Sequence, residues 1–194
     1  MSSGRLLSPS FYPAAAWLPS VMSHKRIHII GGPASGKSYT ASLISEKYSL
    51  PTLDLDTIFW DNRASEYGIK ADPLKRDMAL NTFLNQDAWI VEGVYYSWLA
   101  PSFRKADLIV ALTSPLWLRD LRIFRRFLKR KLGFIPSKKK ETFKGLFELV
   151  KWNHGYDSKN LKQARAYIAE LGCDVNNCKN ATDALELVED ITSG

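Results

Sequence analysis

Arg26-Ile27-His28-Ile29-Ile30-Gly31-Gly32-Pro33-Ala34-Ser35-Gly36-Lys37-Ser38 is the stretch on which the fold turns. Arg26 to Ile30 is a short, mainly apolar run of the kind that fills a strand covered on both faces. Gly31 through Ser38 then fits G-x-x-x-x-G-K-[ST] at every fixed position. Beyond it, Lys37 to Tyr48 carries Leu43, Ile44 and Lys47-Tyr48 at helical spacing. Strand, glycine-rich turn and helix in that order aim successive backbone N–H groups at one point. The glycines permit the curl, and the helix N-terminus adds partial positive charge. Such a turn is suited to phosphate oxygens. Gly31, Gly32, Pro33, Ala34, Ser35, Gly36, Lys37 and Ser38 are therefore the expected nucleotide-binding residues, with Tyr39 directly after them. Lys37 is expected to reach the β and γ phosphates, and the Ser38 hydroxyl to ligate Mg²⁺.

Outward from this stretch, strands and helices alternate. Pro51 opens a strand over Thr52 to Leu55, and Asp72-Pro73 reads as a cap and first-turn proline of a helix bearing Leu74, Met78 and Phe83. Trp89 to Val91 and Asp107 to Leu112 read as further strands, and Ser114-Pro115 starts a long basic helix reaching Leu132. Helices near Glu141–Trp152 and Asp157–Leu171 follow, the second capped by Asp157. A strand from Asp174 to Cys178 and a helix from Thr182 to Ile191 close the chain. This alternation predicts an α/β domain with a parallel sheet covered by helices on both faces, its ligands beyond the carboxyl ends of the strands.

The 194 residues suffice for one well-buried domain. No apolar run approaches the roughly 20 residues that cross a bilayer. Cys173 and Cys178 are the only cysteines and lack a ligand-like partner, so they read as reduced thiols of a cytoplasmic protein with neither disulfide nor zinc. Met1 to Val21 is rich in Ser, Pro and Ala. Prolines at 9, 13 and 19 break its apolar stretch, which reads as a disordered tail or as sequence upstream of a start near Met22. The domain is then expected over residues 23–194. The net charge of +7 is concentrated between Arg119 and Lys144. Such a block attracts nucleic acid, a membrane surface or a polyphosphate.

Two acidic sites are expected beside the glycine-rich turn. Strand alternation would put Asp54 and Asp56 on one side, near Mg²⁺ and an acceptor hydroxyl, although strand-end capping acids would look the same. Asp56 is the better candidate for substrate contact, with Phe59 and Trp60 as a pocket wall. Glu92 and Gly93 end the next strand; Glu92 is expected to point toward the phosphates and contact substrate, Gly93 to let a ligand approach the backbone, and Tyr95 to line the same pocket. A surface acid beside a turn glycine is the other reading. No separate strand ends in a clear Walker-B aspartate, since Asp107 begins its strand. On the basic helix Arg119, Arg122 and Arg126 recur at three-to-four spacing and share a face, while Leu118, Leu121, Phe124 and Leu128 form an apolar stripe. Arginines on a mobile lid, about residues 117–156, would stabilise a transferring phosphoryl group. A solvated basic face or a nucleic-acid patch is the alternative. Lys138-Lys139-Lys140 reads as a lid tip.

With these residues in view, the chain resembles the small P-loop kinases related to adenylate and shikimate kinases, most closely the topology modulation (FlaR-like) proteins. RIHIIGGPASGKS (26–38), LDLDTIFW (53–60), WIVEGVY (89–95) and the helix from Trp117 to Arg130 carry the resemblance. It implies a three-layer αβα fold with a five-stranded parallel sheet and an arginine-bearing lid. It also implies that Asp54 and Asp56 lie near Mg²⁺ and acceptor, with adenine held at Asn177 to Ala181. Tyr39 stands where relatives commonly have Thr, and Glu92 where they often have Asp. The function expected is transfer of the γ-phosphoryl of Mg·ATP to a small acceptor: a nucleoside, a nucleotide or a hydroxylated metabolite. No membrane partner is expected. An ATP-liganded nucleic-acid-binding regulator or a slow NTPase is the other reading.

Overall fold

The structure, a computed structural model, describes residues 25–61, 68–135 and 142–193, so the N-terminal tail and the lysine triplet 138–140 lie outside the described residues. The chain alternates β1 (Arg26–Gly31), α1 (Lys37–Tyr48), β2 (Thr52–Asp54), the one-turn α2 (Asp56–Phe59), α3 (Pro73–Phe83), β3 (Trp89–Gly93), α4 (Ala100–Lys105) and β4 (Leu108–Leu112). It continues through α5 (Leu116–Lys131), α6 (Phe143–Tyr156), α7 (Lys162–Glu170), β5 (Asn176–Cys178) and α8 (Ala181–Ser193). The five strands form one all-parallel sheet in the order β2-β3-β1-β4-β5.

β1 lies at the centre, with every side chain from Ile27 to Ile30 fully buried, His28 included. Ile27 and Ile29 pack with Ile90, Val110 and Leu112 under Ala41 and Ile44 of α1 and Ala184 and Val188 of α8. On the other face Trp89, Val91 and Ile109 meet Leu80 of α3, Phe103 of α4 and Ile168 of α7. Burying a side chain of this size contributes roughly 1.5–3 kcal/mol. The chain leaves β1 for β2 and β3 on one side and then β4 and β5 on the other. The strand order thus reverses at β1, and a crevice opens beyond its carboxyl end. At the opposite end Asp107, just before β4, accepts the backbone N–H groups of Lys25 and Arg26 at 3.0 and 2.9 Å. As its place in the sequence implies, it is far from the crevice.

Several sequence expectations need correction. β2 stops at Asp54 because Leu55 turns into helical backbone (φ −62°, ψ −24°), so Asp54 and Asp56 do not alternate along one strand. β4 begins at Leu108 and β5 at Asn176, each later than expected. The two helices expected after residue 141 are one continuous helical run: a π-helical turn, Asp157–Leu161, joins α6 to α7, and Thr142 caps α6 by accepting from Gly145 N at 3.1 Å. Asp157 is therefore not a cap. On α5 the apolar stripe does not face the core. Arg119, Ile123 and Phe127 are buried, whereas Leu121, Phe124 and Leu128 are exposed. Among the described residues no helix is long and apolar enough to cross a membrane.

His28 sits fully buried in β1, its Nδ1 2.8 Å from Ser102 Oγ and its ring against Phe103. Burial pushes the imidazole down to about 3, against 6.5 for the unhindered group. Between those values the unfolded chain takes up a proton that the native state refuses, so stability falls as pH falls, by up to about 1.4 kcal/mol per pH unit. Unfolding free energy should therefore decline less steeply in His28→Gln than in the natural sequence as pH drops from 6.5 toward 3. Parallel profiles in urea titrations would remove His28 as the cause.

Candidate functional site

Gly32 and Gly36 shape the Gly31–Ser38 turn by lacking a side chain. Gly36 has φ +105°, a left-handed conformation that side chains rarely adopt, and it stands at the N-cap of α1 with no side-chain cap. The first N–H groups of α1 therefore face the crevice without an intrahelical partner. At Gly32 an added Cβ would strike the Arg119 guanidinium and come within 3.0 Å of Tyr156. Lys37 folds under the turn, 9% exposed, and its Nζ donates to the Gly32 carbonyl at 3.0 Å. Burial pulls this amine below the usual lysine range, opposed by the charges of Glu92, Asp56 and Asp54.

Those three carboxylates come from adjacent strand ends. Asp54 pairs in register with Glu92 across β2 and β3. Glu92 is 4% exposed and accepts the Ser38 hydroxyl at 2.6 Å. Burial holds its carboxyl above the usual range, partly offset by Lys37 and the Ser38 hydrogen bond. Asp54 is likewise raised, first by burial, although it accepts the Asp56 backbone N–H at 2.9 Å. Asp56 opens α2 and accepts the Tyr95 hydroxyl at 2.6 Å. The expected pairing of Asp54 and Asp56 is thus achieved by a turn rather than by strand alternation. Gly93 lies at the crevice and has a packing role besides: a Cβ added there would come within 2.7 Å of the Leu55 side chain.

A cavity of about 970 Å³ brings most of the sequence-derived residues together. Pro33, Ala34, Gly36, Lys37, Ser38 and Tyr39 form its floor, and Asp54, Asp56, Glu92 and Gly93 one side. Phe59 stacks on Tyr95 at 4.2 Å between ring centres and meets Trp60 edge-on at 4.8 Å, making an aromatic shelf beside Asp56. Arg122 and Arg126 of α5 close the cavity from above, with Leu146, Leu149 and Trp152 of α6. Arg122 Nη1 donates to the carbonyls of Ala34 and Ser35, both at 3.1 Å, and Arg126 lies close enough to lower the Lys37 amine further. Gly31, Gly32 and Ser35 shape the turn from behind rather than lining the cavity.

Arg119 departs from its expected place. It is 1% exposed and grips Asp157 with two hydrogen bonds, at 3.1 and 2.5 Å, behind Gly32. Sequence reading grouped it with Arg122 and Arg126 by spacing alone, but the core takes it in and the other two face the cavity. Its partner, 38 residues away, had no local signal. Ser114 was also missed as a site residue. Its hydroxyl lies 2.7 Å from the Ser35 carbonyl and 2.9 Å from that of Lys179, tying the turn to the loop before α8. Its position just past a strand end was a usable hint. Lys70, over the Phe59 ring at 5.7 Å and lining the cavity, belongs to no motif or periodic run that would single it out in the sequence.

No protein-family model matches this chain, and comparison with curated proteins gives no match either. The site must be read from its own chemistry.

Asp157→Asn would leave the Arg119 charge buried without its counter-ion. Because Asp157 itself is half exposed, the expected loss is about 1–3 kcal/mol, below that of a wholly buried pair. Equilibrium urea unfolding measures it. A loss under about 0.5 kcal/mol would show the pair to behave as a surface contact.

Proposed function

We propose that this chain is an ATP-binding P-loop phosphotransferase of three-layer αβα fold that transfers the γ-phosphoryl group of Mg·ATP to a small acceptor. One observation carries the reading: Lys37 and the open end of α1 share a single cavity with Asp54, Asp56, Glu92, Arg122 and Arg126. Phosphoryl transfer asks for a clamp on a polyanion, a base for the acceptor and positive charge on the moving group. All three are within reach here. The resemblance to topology modulation proteins and to adenylate and shikimate kinases points the same way, as does the sheet order with β3 beside β1. ATP as donor fits a cytoplasmic setting.

Mg²⁺ favours oxygen ligands, usually one or two carboxylates with substrate phosphates and water. Ser38 and Glu92, in contact, with Asp54 in register beside Glu92, supply such a donor set. Among the described residues no group of three His, Cys, Asp or Glu side chains forms a metal site by itself. The cation would thus be shared with the nucleotide, where its charge neutralises phosphate oxygens. This gives Glu92 a metal-side role in addition to the substrate contact that its sequence position suggested.

In the proposed reaction Lys37 faces the β and γ oxygens, and the α1 N–H groups hold the remaining phosphate charge. Asp56, oriented by Tyr95, accepts the proton of the acceptor hydroxyl. The acceptor oxygen bonds to the γ-phosphorus as the bond from phosphorus to the bridging oxygen breaks. Arg126 and Arg122 stabilise the charge spread over the equatorial oxygens. The aromatic shelf of Phe59, Trp60 and Tyr95 bounds the acceptor side, and Asn177 to Ala181 is the proposed adenine side.

Lys37→Ala is expected to abolish turnover. Arg126→Ala should lower kcat, by up to about 10³-fold, with little change in KM for ATP. Arg122→Ala should weaken ATP binding as well, since Arg122 also braces the turn. The assay is Mg·ATP consumption with panels of nucleosides, nucleoside monophosphates and hydroxylated metabolites. One acceptor that stimulates turnover, with loss in Lys37→Ala, supports the kinase reading. ATP binding with no stimulating acceptor, together with steeply salt-dependent DNA binding, would replace it by the regulator reading.

A further inference from the structure

The exposed side of α5 is unlike an ordinary solvated helix face. Trp117, Leu121, Phe124, Leu128 and Leu132 recur at three-to-four spacing and are all exposed, Trp117 and Leu132 by about two thirds. Phe134 continues the patch past the helix end at 77% exposure. Contiguous apolar surface of this kind, rimmed by polar residues, marks a contact with something else. The rim is basic. α5 carries seven Lys and Arg residues against one acid, Asp120. That acid is already engaged, accepting from Asn153 Nδ2 at 2.8 Å and lying 2.7 Å from His154 Nε2. Arg125 and Lys129 are exposed along one flank of the stripe and Lys131 along the other, where its amine lies over the Phe143 ring of α6 at 3.8 Å.

Three kinds of occupant can be weighed by what each leaves unsatisfied. A second copy meeting this face two-fold would set Arg125, Lys129 and Lys131 against themselves, and the stripe offers no free acid to pair with them. Nucleic acid would neutralise the cations but leave Leu, Phe and Trp side chains in water. An anionic lipid surface satisfies both: headgroups take the basic flanks while the stripe enters the acyl boundary. We propose that the outer face of α5 docks peripherally on anionic membrane surfaces, Trp117, Leu121, Phe124 and Leu128 entering the interface and Arg125, Lys129 and Lys131 facing the headgroups.

This contact is a surface one and needs no spanning segment. It is also compatible with an occupied cavity. Arg126 stands half a turn round the helix from Trp117, at about 3.6 residues per turn, so cavity and membrane address opposite sides of one helix. The proposal does not depend on the phosphotransferase reading.

The test is co-sedimentation of the full chain with phosphatidylcholine vesicles, with and without phosphatidylglycerol. Binding is expected with the anionic vesicles alone, weakening as salt rises. The Phe124→Ser/Leu128→Ser pair and the Arg125→Glu/Lys129→Glu pair should each lower partitioning by about tenfold or more. Both pairs alter exposed positions outside the cavity, and unchanged circular dichroism and thermal unfolding confirm intact protein. No binding to anionic vesicles at low salt would overturn the proposal. So would equal binding to neutral vesicles, or binding that neither pair reduces. A dimer in light scattering that these substitutions dissolve, without vesicle binding, would assign the face to a second copy instead.

Discussion

A buried lysine amine is the constraint around which the rest of the site is arranged. Lys37 lies at the bottom of the crevice, where desolvation works against its charge and nearby negative charge works for it. Glu92, Asp54 and Asp56 supply that charge, and each lies at the end of β2 or β3 or just beyond it. Placing β3 between β1 and β2 is what brings these ends beside the turn that carries Lys37. The carboxylates gain in return, since burial alone would push Glu92 and Asp54 toward neutrality and Lys37 opposes this. Sheet order and charge balance are therefore two aspects of one arrangement. A different strand order would strand the lysine, the acids or both.

Much of this was legible in the sequence, for identifiable reasons. β1, α1 and the turn between them depend on local rules: an apolar run, glycine freedom and helical spacing, and α1 falls at Lys37–Tyr48 as read. Asp72 caps α3 as expected, accepting Leu74 N and Lys75 N at 3.0 and 3.1 Å, because a cap is also a local device. The meeting of Asp54, Asp56 and Glu92 was inferred from where strands end, which a parallel sheet makes informative. α2 was missed because Leu55 leaves the strand to fill the space over Gly93, a contact 38 positions along the chain that no local pattern encodes.

The largest misreading concerns α5, and it has a single cause. An amphipathic helix is normally assumed to turn its apolar stripe inward. Here the inner side carries Arg119, Arg122 and Arg126 interleaved with the buried Ile123 and Phe127, while Leu121, Phe124 and Leu128 point away. Periodicity separated the arginine face from the Leu121-Phe124-Leu128 stripe, but it overlooked Ile123 and Phe127 and could not say which face met the protein. Arg119 shows the same limit within one face. Spacing joined it to Arg122 and Arg126, yet its proximity to Asp157 and Gly32 makes it a brace behind the turn.

The π-helical turn between α6 and α7 acts as a phase shifter. A helix that continued regularly would keep one set of side chains facing one direction along its whole length. The widened turn rotates α6 relative to α7, so α7 keeps Ile168 in the core while α6 offers Leu146, Leu149 and Trp152 to the cavity. The composition of the cavity roof is therefore set by a count of residues as well as by their identity. A lineage that gained or lost one residue at Asp157–Leu161 would present a different column of α6 side chains to the same floor. Chain length at one turn could retune what the cavity accepts while every residue of the Gly31–Ser38 turn stayed as it is.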